Sequence, residues 1–279
     1  MIEITNLYIY PVKSLRGIAL SEAVTSQRGF KYDREWMITD SDYFFLTQRQ
    51  IEKMATITVQ IDANYLTLRS PKGGQVKVSL NNSHQKFVKA TVWDDVCSAN
   101  DEGDEVSDWL TQTLGRYNNK LLRLVRFAAS EERQVPSKYL TEGEAQSAFS
   151  DQFPYLITSW NSLDILNSAL TSIGQTHVEM NRFRPNIVVN GISDIENKQP
   201  HNLYSTNKEY FFGLRKACKR CKITTISQDT GEIINIKEPL ATLTNLAFNQ
   251  HTSGAFFGQN AVCSSQKSIL VRVGDTFYL

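Results

Sequence analysis

The sequence predicts a mainly β protein with a few helices, of the α+β class, arranged as two closely packed β-barrel-like units in one chain of 279 residues. Short segments of alternating apolar residues follow one another between residues 58 and 93 with turns and no helical crossovers between them, which favours antiparallel sheets. Apolar residues recur at helical spacing in only a few windows. A hydrophobic content of 41% at this length is enough to bury a full core.

Ile2 and Ile4, then Leu7 and Ile9, fit a half-buried strand, which Tyr10-Pro-Val-Lys-Ser-Leu-Arg-Gly17 interrupts with Pro and Gly. Lys13, Ser14 and Arg16 then stand on a loop at a strand end, where an ammonium, a hydroxyl and backbone N–H groups can hold an anion. An ordinary solvated turn is the simpler reading of these residues alone. Residues 29–39 read as a turn feeding a strand, with Trp36 and Ile38 on one face and Asp33 and Arg34 as a surface ion pair. Phe45 to Gln50 reads as another short strand. Val59 and Ile61, Tyr65 to Leu68, then Val76, Val78 and Leu80 form a run of hairpins, and Phe87 to Trp93 adds a strand.

The acidic stretch after Asn100 starts a helix carrying Val106, Trp109, Leu110 and Leu114 and stopped by Gly115; its acids suit the positive end of the helix dipole. Leu121 to Phe127 is a strand, and 128–150, polar with Pro136 and Gly143, reads as a mobile loop. A boundary near 120 gives units 1–120 and 121–279. Tyr155 to Thr158 forms a strand, and Ser159 or Asn161 caps a helix with Leu163, Leu166 and Leu170 on one face. Asn181-Arg-Phe-Arg-Pro-Asn186 leads into a buried strand, Ile187 to Val189. Arg182 and Arg184 need anionic partners there if they are buried, from Glu179 or from a ligand. The remainder predicts strands at Tyr210 to Phe212, Lys222 to Ile226 and Glu232 to Ile236 and a helix from Leu240 to Phe248, followed by Phe256-Phe-Gly-Gln-Asn-Ala-Val262. Ile269 to Leu279 reads as a barrel-closing hairpin around a Gly-Asp turn.

Thirty basic and 29 acidic residues give a formal charge of +1, so no global field draws the protein to nucleic acid or an anionic membrane. No apolar run is long enough to span a bilayer and the first residues lack the pattern of a signal peptide, so a soluble, cytoplasmic protein is expected. Cys97, Cys218, Cys221 and Cys263 are expected to be reduced. They make only one close pair, and His84, His177, His201 and His251 are scattered, which is poor spacing for structural zinc.

The most distinctive chemistry lies in Lys216-Ala-Cys-Lys-Arg-Cys-Lys-Ile-Thr-Thr225, where four cations surround two cysteines and favour thiolate. A thioredoxin-like dithiol is one reading, but that motif opens a helix, whereas this one continues into a β-like stretch. A thiolate on a basic loop, with Arg and Lys on other loops, fits a thiolate-bound metal whose organic cofactor carries anionic groups.

Taken with Tyr10–Gly17, Tyr32-Asp-Arg-Glu-Trp-Met37, Leu46-Thr-Gln-Arg49, Arg182–Asn186, Lys237-Glu-Pro-Leu240, Phe257-Gly-Gln-Asn260 and Val273-Gly-Asp275, the motif order resembles the MOSC family, the molybdenum cofactor sulfurase C-terminal fold. The version resembled has an N-terminal MOSC β-barrel region, which would be residues 1–120, followed by a MOSC-type barrel at 121–279. The pattern is similar to that of the mitochondrial amidoxime-reducing components and of bacterial proteins that detoxify N-hydroxylated bases. The resemblance implies a molybdenum cofactor (Mo-molybdopterin) with Cys221 as the protein's metal ligand and catalytic thiolate. It implies that Lys13, Ser14, Arg34, Arg184, Asn186, Lys219 and Arg220 hold the pterin and its phosphate, while Asp151, Phe153 and Asn260 line the site. Lys219 stands where eukaryotic relatives carry serine, and Asn260 where they carry tyrosine. The implied activity is reduction of small-molecule N-hydroxylated substrates such as hydroxylamines and amidoximes. With no Cys-rich segment before Leu279, electrons are expected from an external flavoprotein reductase or ferredoxin-type donor. A cofactor carrier or sulfur-transfer protein is the competing expectation.

Overall fold

The computed structural model describes residues 1–279 except 82–85, 141–144, 194, 198–200, 247–253 and 265–266. Strands β1 (Ile2–Ile9), β2 (Ile18–Leu20), β3 (Glu22–Ser26), β4 (Gly29–Phe30) and β5 (Trp36–Asp40) come first. The hairpin run β6 (Thr58–Ile61), β7 (Tyr65–Arg69) and β8 (Gln75–Ser79) precedes β9 (Lys86–Val92), β10 (Asp95–Asp101) and helix α1 (Asp104–Leu114). Next are β11 (Leu122–Phe127), β12 (Tyr155–Ser159), helix α2 (Trp160–Ser172), β13 (Ile187–Asn190), β14 (His201–Ser205) and β15 (Phe211–Lys219). Helix α3 (Leu240–Asn245), β16 (Phe256–Ser264), β17 (Leu270–Arg272) and β18 (Thr276–Tyr278) complete the order.

Seven strands close a barrel in the order β13-β12-β16-β15-β14-β18-β1, with β1 pairing back onto β13. The β1 register shifts between Ile4 and Asn6, a bulge that explains why its apolar residues move from even to odd positions. Ile2, Ile4, Leu7 and Ile9 thereby all reach one core with Ile157, Val189, Phe212 and Phe277. The one parallel strand pair among the described residues, β12 with β13, needs a crossover, which α2 supplies. Ser159 caps that helix by accepting from Asn161 N, and Leu163, Leu166 and Leu170 pack against Phe183, Leu243 and Phe257.

Two smaller antiparallel sheets, β5-β11-β10-β9 and β6-β7-β8, pack with α1 around a second core containing Trp36, Ile38, Leu66, Leu68, Leu110 and Leu124. Strand pairing crosses a cut at residue 120 both ways: β11 belongs to the sheet of β5, and β1 to the closed barrel. No helix among the described residues is long and apolar enough to cross a membrane.

Several segments depart from expectation. Lys222–Thr225 is a 3-10 turn, because the Thr224 and Thr225 hydroxyls donate back to the carbonyls of Cys221 and Lys222 and stabilise a turn over a strand. Glu232 to Ile236 is not a strand; Ile233 makes one isolated bridge to Ile226 while Ile234 and Ile236 are exposed. Phe45 to Gln50 is likewise irregular, held by the isolated bridge from Phe45 to Thr39, with Phe44 bridged to Thr91 just before it. Strands β17 and β18 do not form a hairpin: β17 pairs with β3, while β18 pairs with β1 and β14. The turn between them is itself occupied by β1, since Gly274 N donates to Ile4 O and Ile4 N to Asp275 O. Helix α3 ends at Asn245, and Phe248 lies outside the described residues. The 128–150 segment is tethered by Arg133, which donates to the carbonyls of Ala148, Ser150 and Asp151; its residues 141–144 lie outside the description.

Candidate functional site

One open cleft between the two cores collects Lys13, Ser14, Arg34, Asp151, Phe153, Arg184, Asn186, Lys219, Arg220, Cys221 and Asn260. These residues come from separate parts of the fold. Lys13 and Ser14 follow β1, Arg34 precedes β5, Asp151 and Phe153 lead into β12, and Arg184 and Asn186 lead into β13. Lys219 ends β15, Arg220 and Cys221 follow it, and Asn260 sits on β16, paired with Leu156 of β12 and Lys216 of β15.

Lys13 and Ser14 are buried rather than on a surface turn. Lys13 Nζ donates to Phe149 O at 2.8 Å and to Asp151 Oδ1 at 2.6 Å. Burial pulls its pKa below the ordinary value, against the opposing pull of Asp151. Desolvation by the cleft walls acts to raise the Asp151 carboxyl, but Lys13, Arg49 and Trp93 outweigh it and hold it well below the usual range. Asp33 and Arg34 are also inside: Arg34 Nη1 donates to Asp33 Oδ2 at 2.5 Å and to Asn186 Oδ1 at 2.8 Å, and Nη2 to Arg184 O at 3.0 Å. Burial raises the Asp33 carboxyl even beside Arg34.

Arg34 and Arg184 place their guanidinium carbons 4.4 and 4.3 Å from the centroid of the Tyr10 ring, so two cations share one buried aromatic. Burial lowers Arg184 to about 10. The anionic partner expected for it is absent among its described contacts; its side chain donates to the neutral Gln228 Oε1 at 3.3 Å. Arg182 donates to the carbonyls of Thr224 and Thr225, and neither arginine forms an ion pair with Glu179 among the described residues. Ser14, Arg34 and Arg184 have φ of 69°, 52° and 55°, left-handed conformations that side chains disfavour. Three such residues on one cleft mark backbone strain concentrated at the site.

The two cysteines have different guanidinium donors. Arg220 Nη1 donates to Cys218 Sγ at 2.9 Å and Nη2 to Phe183 O at 2.7 Å, while Arg220 Nε is buried without a partner. Arg49 Nη2 donates to Cys221 Sγ at 3.1 Å. Cys218 is at the end of β15, and Cys221 opens the 3-10 turn. The cleft thus holds the cations Lys13, Arg34, Arg49, Arg184, Lys219 and Arg220, with only Asp151 among its lining carboxylates and Asp33 just behind. Such a surplus suits an anionic ligand, and a soft sulfur lies beside it.

Arg49, the last residue of the motif Leu46-Thr-Gln-Arg49, joins the site without a sequence signal of its role. No local pattern announces its role, because its neighbours, Trp93 and Cys221, are distant in sequence. Gln48 carries no sequence signal either; buried, it exchanges amide hydrogen bonds with Gln228 and donates to Ser14 O at 2.7 Å, fixing the backbone of the loop after β1.

Comparison with known proteins matches two successive stretches of the chain. Residues 1–117 match the MOSC N-terminal beta barrel domain, and residues 144–278 match the MOSC domain. The chain is 31% identical over 290 residues to mitochondrial amidoxime reducing component 2 of Rattus norvegicus, covering 99% of this chain and 82% of that protein. It is 30% identical over 293 residues to mitochondrial amidoxime-reducing component 1 of Homo sapiens, with coverage of 99% and 82%. Human component 2 is 30% identical over 288 residues, with the same coverage. The chain belongs to the MOSC family, alongside the amidoxime-reducing components.

Proposed function

We propose that this protein is a molybdenum-cofactor-dependent reductase of N-hydroxylated compounds, including hydroxylamines, amidoximes and N-hydroxylated bases, supplied with electrons by a separate flavoprotein reductase or ferredoxin-type protein. The observation that carries this reading is the pairing of a cation-rich cleft with a soft sulfur, in a chain related over nearly its whole length to amidoxime-reducing components. The donor set fits the cofactor. Lys13, Ser14, Arg34, Arg184, Asn186, Lys219 and Arg220 would hold the pterin and its phosphate, with the unpartnered Arg220 Nε as a donor in reserve. Cys221 would bind the metal. When bound, that group supplies two-electron oxygen-transfer chemistry.

The balanced reaction takes R–NH–OH, two electrons and two protons to R–NH2 and water. The protein's residues create the setting. Arg34 and Arg184, braced on Tyr10 and by Asn186, neutralise anionic charge without conformational search. Phe153, Leu156 and Ile223 line the cleft with apolar surface that limits water. Asp151 is held ionised at neutral pH by Lys13, Arg49 and Trp93, so it does not supply a proton; the two protons enter from solvent.

The test is to load purified protein with the cofactor and supply a hydroxylamine with a chemical reductant. Amine formation in proportion to molybdenum is expected. No amine despite one molybdenum per chain would leave the carrier or sulfur-transfer reading in its place.

A further inference from the structure

Arg49 is placed differently from Lys13 and Arg34. Lys13 is committed to Asp151 and Phe149 O, and Arg34 to Asp33, Asn186 and Arg184 O. Arg49 uses Nη2 for Cys221 Sγ, and its remaining guanidinium donors have no hydrogen bond to described residues. Its guanidinium carbon lies 4.7 Å from the centroid of the Trp93 ring, and Trp93 Nε1 donates to Asp151 Oδ1 at 3.1 Å. Trp93 packs in turn on Phe45, with ring centroids 5.0 Å apart. The guanidinium is therefore held by its face and by one edge, with the other donors left at the cleft. A planar fork fixed in this manner presents donors at low entropic cost.

We propose that Arg49 is a substrate-binding residue that donates a hydrogen bond to the oxygen of the N-hydroxyl group, using donors left over from its contact with Cys221. This rests on the reductase reading above. An arginine retains its proton, so Arg49 orients the departing oxygen and is not the acid that releases water. An oxygen bound by Arg49 lies toward the Cys221 end of the cleft, because Arg49 Nη2 meets Cys221 Sγ there.

The test compares two ligands on cofactor-loaded, oxidised protein with no reductant present, so that nothing turns over. Benzamidoxime carries the oxygen; benzamidine lacks it and is cationic. Arg49→Gln is expected to weaken benzamidoxime binding about tenfold, the scale of one charge-assisted hydrogen bond. Benzamidine should bind as well or better, because a like charge has been removed. Arg49→Lys, which keeps the charge but loses the fork, should recover part of the benzamidoxime affinity. Molybdenum content should match the wild type in both variants, and KM for benzamidoxime should rise in turnover assays.

Equal weakening of both ligands, unchanged benzamidoxime binding, or loss of molybdenum from Arg49→Gln would each overturn the assignment; the last would make Arg49 part of the cofactor clamp. Failure of the wild-type protein to reduce any N-hydroxylated compound would instead sink the reductase reading on which the assignment rests.

Discussion

Lys13 and Asp151 are separated by 138 positions in sequence and by 2.6 Å in space. Their contact ties the loop after β1 to the loop before β12 and forms one wall of the cleft. The same construction recurs opposite, where Arg34 reaches Asn186 across 152 positions at 2.8 Å. The site is assembled from loop ends that only the folded barrel brings together, so supports placed behind it control both stability and the shape of the cleft.

Asn186 is one such support. Its Oδ1 accepts from Arg34 Nη1 and Leu156 N, and its Nδ2 donates to Tyr8 O, all in a buried position. Asn186→Ala leaves those groups without partners and should cost about 3 kcal/mol, the scale of orphaned buried polar groups. Chemical denaturation should show the loss, and molybdenum content after purification should fall with it.

Asp101 supports the smaller sheets. Its side chain is 1% exposed and accepts from Arg123 at 2.6 and 2.7 Å, from Tyr43 Oη and from Gly103 N. Burial alone would raise its pKa, but these hydrogen bonds outweigh burial and hold it below the ordinary carboxylate value. A depressed folded-state pKa gives stability that is fully present above the unfolded value of about 4 and is lost as pH falls through the folded value. Asp101→Asn should therefore cost about 3 kcal/mol at pH 7. Denaturation of both proteins from pH 7 to pH 3 should show a gap that is flat down to about pH 5 and narrows below about pH 4.

Gly258 lies on β16 with φ of 78°, and a Cβ there would come within 2.7 Å of Thr158 Cγ2 and 2.8 Å of Ile157 O. Backbone cannot yield as a flexible side chain can, so Gly258→Ala should combine left-handed strain with overpacking and cost about 3 kcal/mol. The measurement is the urea midpoint, which should drop with an unchanged slope.

Where each part of this molecule could be foreseen follows from the range of the forces involved. The hairpins from Thr58 to Ser79, helix α1 with its Gly115 stop, and the Ser159 cap were legible because alternation, helical spacing and caps are local. The stretch after Cys221 was misread because Ile-Thr-Thr-Ile has strand composition, while the two threonine hydroxyls satisfy the preceding carbonyls and make a turn. The last two strands were misread as a hairpin because nothing local reveals that β1 occupies the turn between them. At the site, the residues named through the family motifs all line one cleft, yet Arg49 depended on a tertiary meeting with Trp93 and Cys221 that no local pattern encodes.

The proposal that Cys221 alone holds the metal separates its sulfur from that of the neighbouring Cys218. Cys218 Sγ accepts from Arg220 and Cys221 Sγ from Arg49, so the two thiols have separate local roles. Molybdenum content and hydroxylamine reduction should be measured side by side in Cys221→Ala and Cys218→Ala, with melting temperature as a control for folding. Cys221→Ala is expected to lose the metal and all reduction, while Cys218→Ala keeps molybdenum near one per chain and most of the activity, at a stability cost of about 1 kcal/mol. Equal loss of metal and activity in two folded variants would contradict it, since a dithiol or a metal held by both sulfurs requires each.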